Sequence, residues 1–413
     1  MSKPIRFNAF EMNCVGHQSP GLWAHPRDRS WQYKDLNYWT DLAKTLEKGI
    51  FDAIFIADVV GYYDVYKGSN HHALHQGVQI PVNDPLQLAA PIAMVTEHLG
   101  IGITASTSFE HPYTFARRLS TADHHTKGRL GWNIVTSYLE SGAKNVGEGG
   151  LRRHDNRYEV AAEYTEVLYK LFEGSWEEGA VVRDKERGVF ARPDKVHEIG
   201  HKGKYFEVPG YHLCEPSPQR TPVLFQAGAS GAGKTFAAQH AECVFVATPS
   251  RATLKDYVAD VRAQAAAAGR DPAKVLVYTL VTVIVDETDD KARAKFEDYK
   301  RHVSYDGALV LMSGWSGIDF GQYAPADPDV TLSRSLANCQ CTYNSPSPMM
   351  AEFLLWKMPR TTNSQLPGCV VPLSGITSPT FQPNRAASFH PMRHPPRSLR
   401  NARRSLSFRR ISG

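Results

Sequence analysis

Seven short apolar runs, rich in β-branched residues, alternate with helix-periodic segments, and this alternation restricts the fold more than any other feature. The runs cover residues 7–12, 53–56, 101–107, 130–135, 223–226, 244–247 and 276–285. Between them, segments 38–48, 158–172 and 254–268 carry apolar residues at helical spacing. Such alternation predicts parallel strands joined by right-handed crossovers. Seven units favour an α/β fold of the (β/α)8 TIM-like barrel type, with an open sheet as the alternative.

The end of the chain differs sharply from the part before it. Residues 331–413 are rich in Ser, Pro, Asn and Arg, and the final 33 residues contain eight arginines and no acid. Such a composition buries too little apolar surface to offset the entropy of ordering. The sequence therefore predicts one barrel over 1–330, with an insertion loop at 176–218, and a disordered basic tail over 331–413. Within that tail, only 349–356 has the apolar content of a buried element.

Charge and cysteine usage exclude several classes of protein. The net charge is +5, but the eleven Lys/Arg and one acid beyond residue 331 give the tail +10, which leaves −5 for the rest. A mildly acidic body predicts no nucleic-acid partner. No run of eighteen apolar residues and no secretory signal occur, so no membrane partner is predicted. The six cysteines lack the usual zinc-ligand spacing, which favours a reduced, cytoplasmic protein.

The octapeptide 228–235, Gly-Ala-Ser-Gly-Ala-Gly-Lys-Thr, fits the phosphate-binding loop of nucleotide hydrolases. It lies between an apolar run and a helix-prone segment, where free backbone N–H groups and a helix dipole favour an anion. A phosphate-bearing ligand is therefore predicted here. Under the hydrolase interpretation, 283–287 would supply the acidic end of a strand. Against it, the loop follows at least four β/α units, whereas nucleotide-hydrolase domains usually open with it.

A set of further motifs resembles one enzyme family. The motifs lie at 8–18, 41–58, 81–85, 128–137, 154–158, 215–222 and 226–230. In this order they resemble the bacterial-luciferase-like FMN-dependent monooxygenases, in the branch with nitrilotriacetate and dibenzothiophene-sulfone monooxygenases. Within that branch the chain is most similar to dimethyl-sulfide and long-chain-alkane monooxygenases. The resemblance runs from about residue 5 to about residue 325.

The resemblance implies a barrel that borrows reduced FMN from a separate NAD(P)H:FMN reductase. Oxygen (O2) then adds to the flavin to form a C4a-hydroperoxide, and one oxygen atom passes to a small organic substrate. The protein positions the flavin, excludes water and protects the intermediate. The family also implies a homo-oligomer. Because residues 12, 17, 23, 59 and 63 on the substrate side are largely apolar, we expect a small organosulfur or aliphatic substrate of low charge.

The resemblance also implies the site residues. The cofactor-binding positions are Asp58, Thr104, Asn133, Ser137, His154, Tyr158, Ala229 and Ser230. His17 is the catalytic candidate, able to donate a hydrogen bond or proton on the substrate side. Without the family, Asp58 is equally a helix cap, the 154/158 pair a solvated helix start, and His17 an ordinary loop histidine. Lys234 is a candidate to neutralise the FMN phosphate.

Two features limit the assignment. Residues 71, 72 and 75 are histidines, but no further ligand completes a set nearby, so no metal is predicted. Beyond residue 330 the family pattern stops, which predicts a barrel incomplete at its eighth strand. Our hypothesis is that 331–413 is an out-of-frame or mis-spliced continuation. An inactive flavin-binding barrel is therefore the alternative function, and a nucleotide hydrolase is less favoured.

Overall fold

The computed structural model describes residues 5–228, 230–247 and 250–323. Its strands, in chain order, are β1 (Asn8–Met12), β2 (Ala53–Ala57), β3 (Gly100–Ser106), β4 (Leu130–Val135), β5 (Val181–Asp184), β6 (Val189–Ala191), β7 (His201–Lys202), β8 (Glu207–Val208), β9 (Val223–Ala227), β10 (Cys243–Val246) and β11 (Leu276–Thr279). Its α-helices are α1 (Leu36–Lys48), α2 (His71–Gln76), α3 (Ala89–Met94), α4 (Pro112–His125), α5 (Glu140–Asn145), α6 (His154–Tyr169), α7 (Gly231–His240), α8 (Arg251–Ala267), α9 (Asp289–Arg301) and α10 (Tyr305–Ser316).

Seven of these strands form one curled parallel sheet in the order β1-β2-β3-β4-β9-β10-β11. The order follows the chain, as expected for a barrel and not for an open doubly wound sheet, whose order reverses. The predicted α/β TIM-like barrel is therefore confirmed. Within the described ranges no eighth strand joins β11 to β1, in agreement with the predicted incomplete closure. The tail, and with it the division at residue 330, lies outside these ranges and stays a prediction.

The core lies between the sheet and the helices outside it. Ile54, Ile101 and Ile103 on the strands are fully buried against Leu119 of α4 and Tyr164 of α6. Strands buried on both faces read as continuous apolar runs, which is why the sequence revealed them so readily. The helical periods are confirmed too, because the apolar face predicted for 158–172 is buried at Val160, Tyr164, Val167, Leu168 and Leu171.

The inside of the barrel is filled by aromatic rings where neighbouring strands carry glycine. A Cβ on Gly131 would lie 2.7 Å from the Phe225 ring, and one on Gly102 would lie 3.2 Å from the Phe55 ring. The rings of Phe55 and Phe225 are 5.3 Å apart, and that of Phe245 stacks on Phe55 at 5.0 Å. This aromatic layer forms a floor beneath the carboxyl ends of the strands.

One expectation about an element boundary was wrong. The strand predicted over 276–285 ends at Thr279, and the next alternating valines, Val281, Val283 and Val285, are 68, 66 and 66% exposed. These valines are not buried, so no apolar contact favours the continued pairing of β11 with β10 beyond Thr279. The predicted insertion loop contains two antiparallel ribbons, β5–β6 and β7–β8. Glu163 of α6 holds the second one, because its carboxylate accepts the N–H of Tyr205 and of Phe206 at 3.1 and 2.8 Å.

No helix in the described ranges has the length and apolar character needed to cross a membrane.

Candidate active site

A cavity opens at the carboxyl ends of the strands, where the chemistry of such barrels gathers. Six of the nine predicted site residues line it, namely His17, Asp58, Thr104, Asn133, Ser137 and Tyr158. Strands β2, β3 and β4 therefore each bring a polar side chain to the same edge of the sheet, namely Asp58, Thr104 and Asn133. His154 and Ser230 lie beside this lining, as described below, and Ala229 lies outside the described residues.

Two buried amide oxygens in the lining have no hydrogen-bond partner in the described structure. Asn133, 5% exposed, donates from Nδ2 to Thr104 Oγ1 at 3.0 Å, and its Oδ1 has no donor. Gln226, 2% exposed, donates from Nε2 to Tyr158 Oη at 3.4 Å, and its Oε1 has no donor. Leaving a buried acceptor unpaired costs about 1–3 kcal/mol. The pair therefore fits a ligand that brings N–H or O–H groups.

A cradle for an anion adjoins Gln226. Ser230 caps α7, and its Oγ accepts the N–H of Gly233 at 3.0 Å. His154 Nε2 lies 3.4 Å from the same Oγ, and its ring contacts that of Tyr158 one turn further along α6, at 5.2 Å between centroids. The first turn of α7 adds unpaired N–H groups and the positive end of its dipole. Ser230 and the predicted pair His154 and Tyr158 thus meet around one helix N-terminus.

Asp58 and Ser137 add further polar groups to the cavity lining. Burial, with a smaller contribution from the charge of Asp84, raises the pKa of Asp58 to about 7, although the Val59 amide opposes the shift. Ser137 has a left-handed backbone, φ 59°, and its hydroxyl lies 2.8 Å from that of Ser106. The Asp58 carboxyl thus changes charge near neutral pH, within reach of a ligand.

His17 lies over the aromatic floor. Its ring meets that of Phe10 edge-on at 4.6 Å, and burial lowers its pKa to about 4, so the imidazole is neutral above that pH. A chain of hydrogen bonds supports its backbone, which has φ 35°. Gln79 donates to the His17 carbonyl at 3.2 Å, Tyr63 donates to Gln79 at 2.8 Å, and the Tyr63 and Tyr138 hydroxyls are 2.5 Å apart.

Sequence reasoning missed Gln226, Gln79 and Tyr138, all of which line the cavity. Gln226 carries a readable signal, since it is a polar residue within an otherwise apolar strand. Gln79 and Tyr138 sit in loops whose course no periodicity reveals. Among the predicted substrate-side residues, Met12 and Val59 line the cavity with His17. Trp23 and Tyr63 are not among the lining residues, since the Trp23 indole N–H donates to the Gln76 carbonyl at 2.9 Å and the Tyr63 hydroxyl donates to Gln79.

The geometry argues against nucleotide hydrolysis at 228–235. The Lys234 ammonium lies 2.5 Å from Asp260 Oδ2 on α8. Asp286, the candidate acid of that interpretation, is 2.8 Å from Lys295 and follows no strand end, since β11 stops at Thr279. Both charged groups that a nucleotide hydrolase requires are thus paired within the protein.

Replacing Lys234 with methionine is expected to leave flavin affinity within about twofold of the unmodified protein, because its charge is neutralised by Asp260. Loss of this half-exposed pair should lower the free energy of unfolding by no more than about 1 kcal/mol. Flavin titration and denaturant unfolding measure both, with Lys255→Met on the exposed face of α8 as the control. A tenfold loss of affinity in Lys234→Met alone would show that the ammonium reaches the ligand.

One group of side chains in the described residues has the composition of a metal site: His25, Asp298 and His302. However, His25 Nδ1 accepts the Arg27 N–H at 3.1 Å, which assigns the ring proton to Nε2, and Nε2 faces Asp298 Oδ2 at 3.0 Å. A protonated nitrogen is not a ligand, and Arg301 takes the other carboxylate oxygen at 2.5 Å. The group therefore fastens the N-terminal loop to α9.

Comparisons with known proteins agree with this geometry. Residues 10–331 match the family model described as luciferase-like monooxygenase. The chain is 54% identical over 328 residues to dimethyl-sulfide monooxygenase of Hyphomicrobium sulfonivorans, which covers 79% of this chain and 68% of that protein. It is also 54% identical over 327 residues to long-chain alkane monooxygenase of Geobacillus thermodenitrificans, covering 79% and 74%.

Solved structures give the same result. A crystal structure of long-chain alkane monooxygenase superposes with a TM-score of 0.79 at 49% identity, covering 87% of this chain and 84% of the other. Riboflavin lyase, crystallised with modified FMN and riboflavin, superposes with a TM-score of 0.77 at 34% identity, covering 85% and 76%. The chain belongs to the luciferase-like monooxygenase family, whose members depend on flavin, and it is a monooxygenase enzyme.

Proposed function

We propose that this monooxygenase binds reduced FMN in the cavity and uses O2 to oxygenate a small, neutral organosulfur or aliphatic substrate. The pair of unpartnered amide oxygens on Asn133 and Gln226, next to the anion cradle, is the observation that carries this proposal. A flavin has N–H and O–H donors on its ring edge and ribityl chain and a phosphate at its end. Along the strand ends the cavity presents these groups' partners in the same order, with the acceptors of Asn133 and Gln226 followed by the anion cradle at Ser230.

The side chains divide the work of holding FMN. Asn133, Gln226 and Asp58 accept from the ring edge or ribityl chain, and Ser230 with His154 and the start of α7 holds the phosphate. The aromatic floor excludes water from beneath the reacting centre. When bound, reduced FMN supplies the oxygen chemistry through a C4a-hydroperoxide. A separate NAD(P)H:FMN reductase supplies the reduced cofactor. A homo-oligomer in the cytoplasm stays a prediction from the sequence.

The cavity walls favour a neutral substrate. Met12, Val59, Phe55 and Trp315 give it an apolar side, and in the described lining Asp58 is the sole carboxylate, with no lysine or arginine. A substrate carboxylate would therefore lack a counter-charge and lose its hydration. This lining suits thioethers and alkanes, the kinds of compound that two relatives are named for.

The test is rapid mixing of the protein and anaerobic reduced FMN with oxygenated buffer, with dimethyl sulfide or hexadecane present. We expect a flavin absorbance transient that outlasts that of free FMN, and an oxygenated product from one of the two substrates. A transient without product from either would support a flavin-binding barrel and reject the substrate class. Oxidation indistinguishable from that of free FMN would reject the cofactor assignment.

His17→Phe is expected to lower product formation about 100-fold or more, because it removes the side chain that can donate a hydrogen bond or a proton on the substrate side. Flavin affinity should change by no more than about twofold, because no assigned flavin contact is lost. As the pKa of His17 is about 4, its titration should give no inflection in the rate between pH 6 and 9. Single-turnover product yield measures the effect, with the exposed His75→Phe on α2 as the control. Unchanged yield in His17→Phe would remove His17 from the mechanism.

A further inference from the structure

One large side chain from α10 bounds the apolar side of the cavity. Trp315, 8% exposed, belongs to the buried cluster that also contains Met12 and Val59, and all three residues line the cavity. Met12 ends β1 and Val59 follows β2, whereas Ser230 of the anion cradle follows β9, which β3 and β4 separate from β2. The indole therefore lies with the substrate-side residues and away from the proposed phosphate position.

The helix that carries Trp315 is held tightly in place. A Cβ on Gly314 would overlap the Tyr63 ring, so the α10 backbone lies directly against that ring. The Tyr66 hydroxyl donates to Asp306, in the first turn of α10, at 2.8 Å. Protein interiors packed this closely contain little free space into which a side chain could move. The indole therefore has a fixed position in the cavity wall.

The loop after β2, which brings Val59 and Val60 into the lining, is fixed as well. Ser141 of α5 accepts the Tyr62 N–H at 2.9 Å and donates to the Tyr62 carbonyl at 2.8 Å. A Cβ on Gly142 would overlap the Val60 carbonyl oxygen, so α5 packs directly on this loop. The apolar side of the cavity thus lies between two fixed elements, this loop and α10. Forcing extra volume between such elements is destabilising.

We propose that Trp315 sets the largest substrate that the enzyme accepts, because its indole ends the apolar side of the cavity. This inference rests on the proposed function, since it concerns the same small, neutral substrates. Up to the indole, each added CH2 group of a ligand should raise its affinity about fourfold through burial of apolar surface. Beyond the indole, one further CH2 group should lower the affinity about tenfold or more, because the fixed wall does not make room for it.

Methyl alkyl sulfides of increasing length, from dimethyl sulfide to methyl octyl sulfide, measure this limit. Isothermal titration of the full-length protein with oxidised FMN present gives each affinity without turnover. In the unmodified protein we expect the affinity to rise with chain length and then to fall abruptly. In Trp315→Ala the fall should come about four CH2 groups later, in the space that the indole leaves. Trp315→Phe, which keeps one aromatic ring and tests the proposal if the alanine variant does not fold, should give a smaller shift of the same sign.

The control is Trp31→Ala, whose side chain is 57% exposed and lies outside the lining. It should reproduce the profile of the unmodified protein. An unchanged limit in folded Trp315→Ala and Trp315→Phe would overturn the proposal, and so would an equal shift in Trp31→Ala. Affinity that still rises at methyl octyl sulfide in the unmodified protein, or no binding of any sulfide, would overturn it too. A limit that shifts while no sulfide is oxygenated would reject the proposed oxygenation and retain Trp315 as the size limit.

Discussion

Gly233→Ala will weaken the binding of reduced FMN about tenfold or more, while Gly231→Ala, two residues earlier in the same helix turn, will leave it unchanged. A Cβ at position 233 would lie 2.8 Å from Tyr158 Oη, 3.0 Å from Ser230 Oγ and 3.1 Å from the Gly228 Cα. A Cβ at position 231 meets nothing within 4 Å. The two substitutions are chemically identical, and both favour the helix.

The difference follows from what each methyl group displaces. At 233 the contacts include the Gly228 backbone, which cannot rotate away, the Ser230 hydroxyl of the proposed phosphate cradle and the Tyr158 hydroxyl beside it. Relief of the clash therefore separates Ser230 from Tyr158 and moves the start of α7 from the strand end. A tenfold change in affinity corresponds to about 1.4 kcal/mol, less than the cost typical of a misplaced contact set. The loss of FMN affinity in Gly233→Ala thus depends on how closely the first turn of α7 approaches α6.

Anaerobic fluorescence titration gives the dissociation constant of each variant, and thermal unfolding without flavin gives its stability. We expect a weaker complex for Gly233→Ala even where both variants are fully folded. If the two variants bind reduced FMN equally, the phosphate does not lie at the start of α7. The site would then have to be sought elsewhere along the strand ends.

The sequence predicted the parts of this site that depend on regular structure. The family resemblance implied Asp58, Thr104 and Asn133 as site residues, and their places on neighbouring parallel strands explain why they lie at one edge of the sheet. The i, i+4 spacing of His154 and Tyr158 predicted that they share one helix face. The position of a residue along a strand or on a helix face depends on nearby residues only, and the spacing of apolar residues therefore predicts it.

Side-chain orientations and contacts between segments that are distant in the sequence could not be predicted in the same way. Lys234 fits a phosphate loop by sequence, but its direction depends on Asp260, twenty-six residues away on another helix. The chain from Tyr138 through Tyr63 to Gln79 joins three separate segments, so its existence depends on how loops cross. Likewise, β11 ends where its side chains cease to be covered, which composition alone does not reveal.

Asp58→Asn is expected to stabilise the protein at pH 8 but not at pH 4. The pKa of Asp58 is raised from 3.8 to about 7, chiefly by burial. Between these values the folded protein holds a proton that the unfolded chain has lost, so stability falls as pH rises through this window. Above about pH 7 the full cost of the buried charge is present. Asparagine cannot ionise, and we expect it to recover on the order of 2 kcal/mol at pH 8, since cavity solvent reduces the full effect.

The same titration should govern flavin affinity in the opposite direction. The ionised carboxylate is the stronger acceptor for flavin donors, so FMN binding to the unmodified protein should tighten from pH 6 to pH 8, while binding to Asp58→Asn should vary little. Denaturant unfolding at pH 4 and pH 8 and flavin titration at pH 6 and pH 8 measure the two effects, with the exposed Asp41→Asn on α1 as the control. A stability difference independent of pH would show that the Asp58 carboxyl is not held near neutrality. Because the charge that costs stability is also the one that binds the cofactor, a rise in pH should lower the stability of the protein and raise its affinity for FMN if Asp58 contacts FMN.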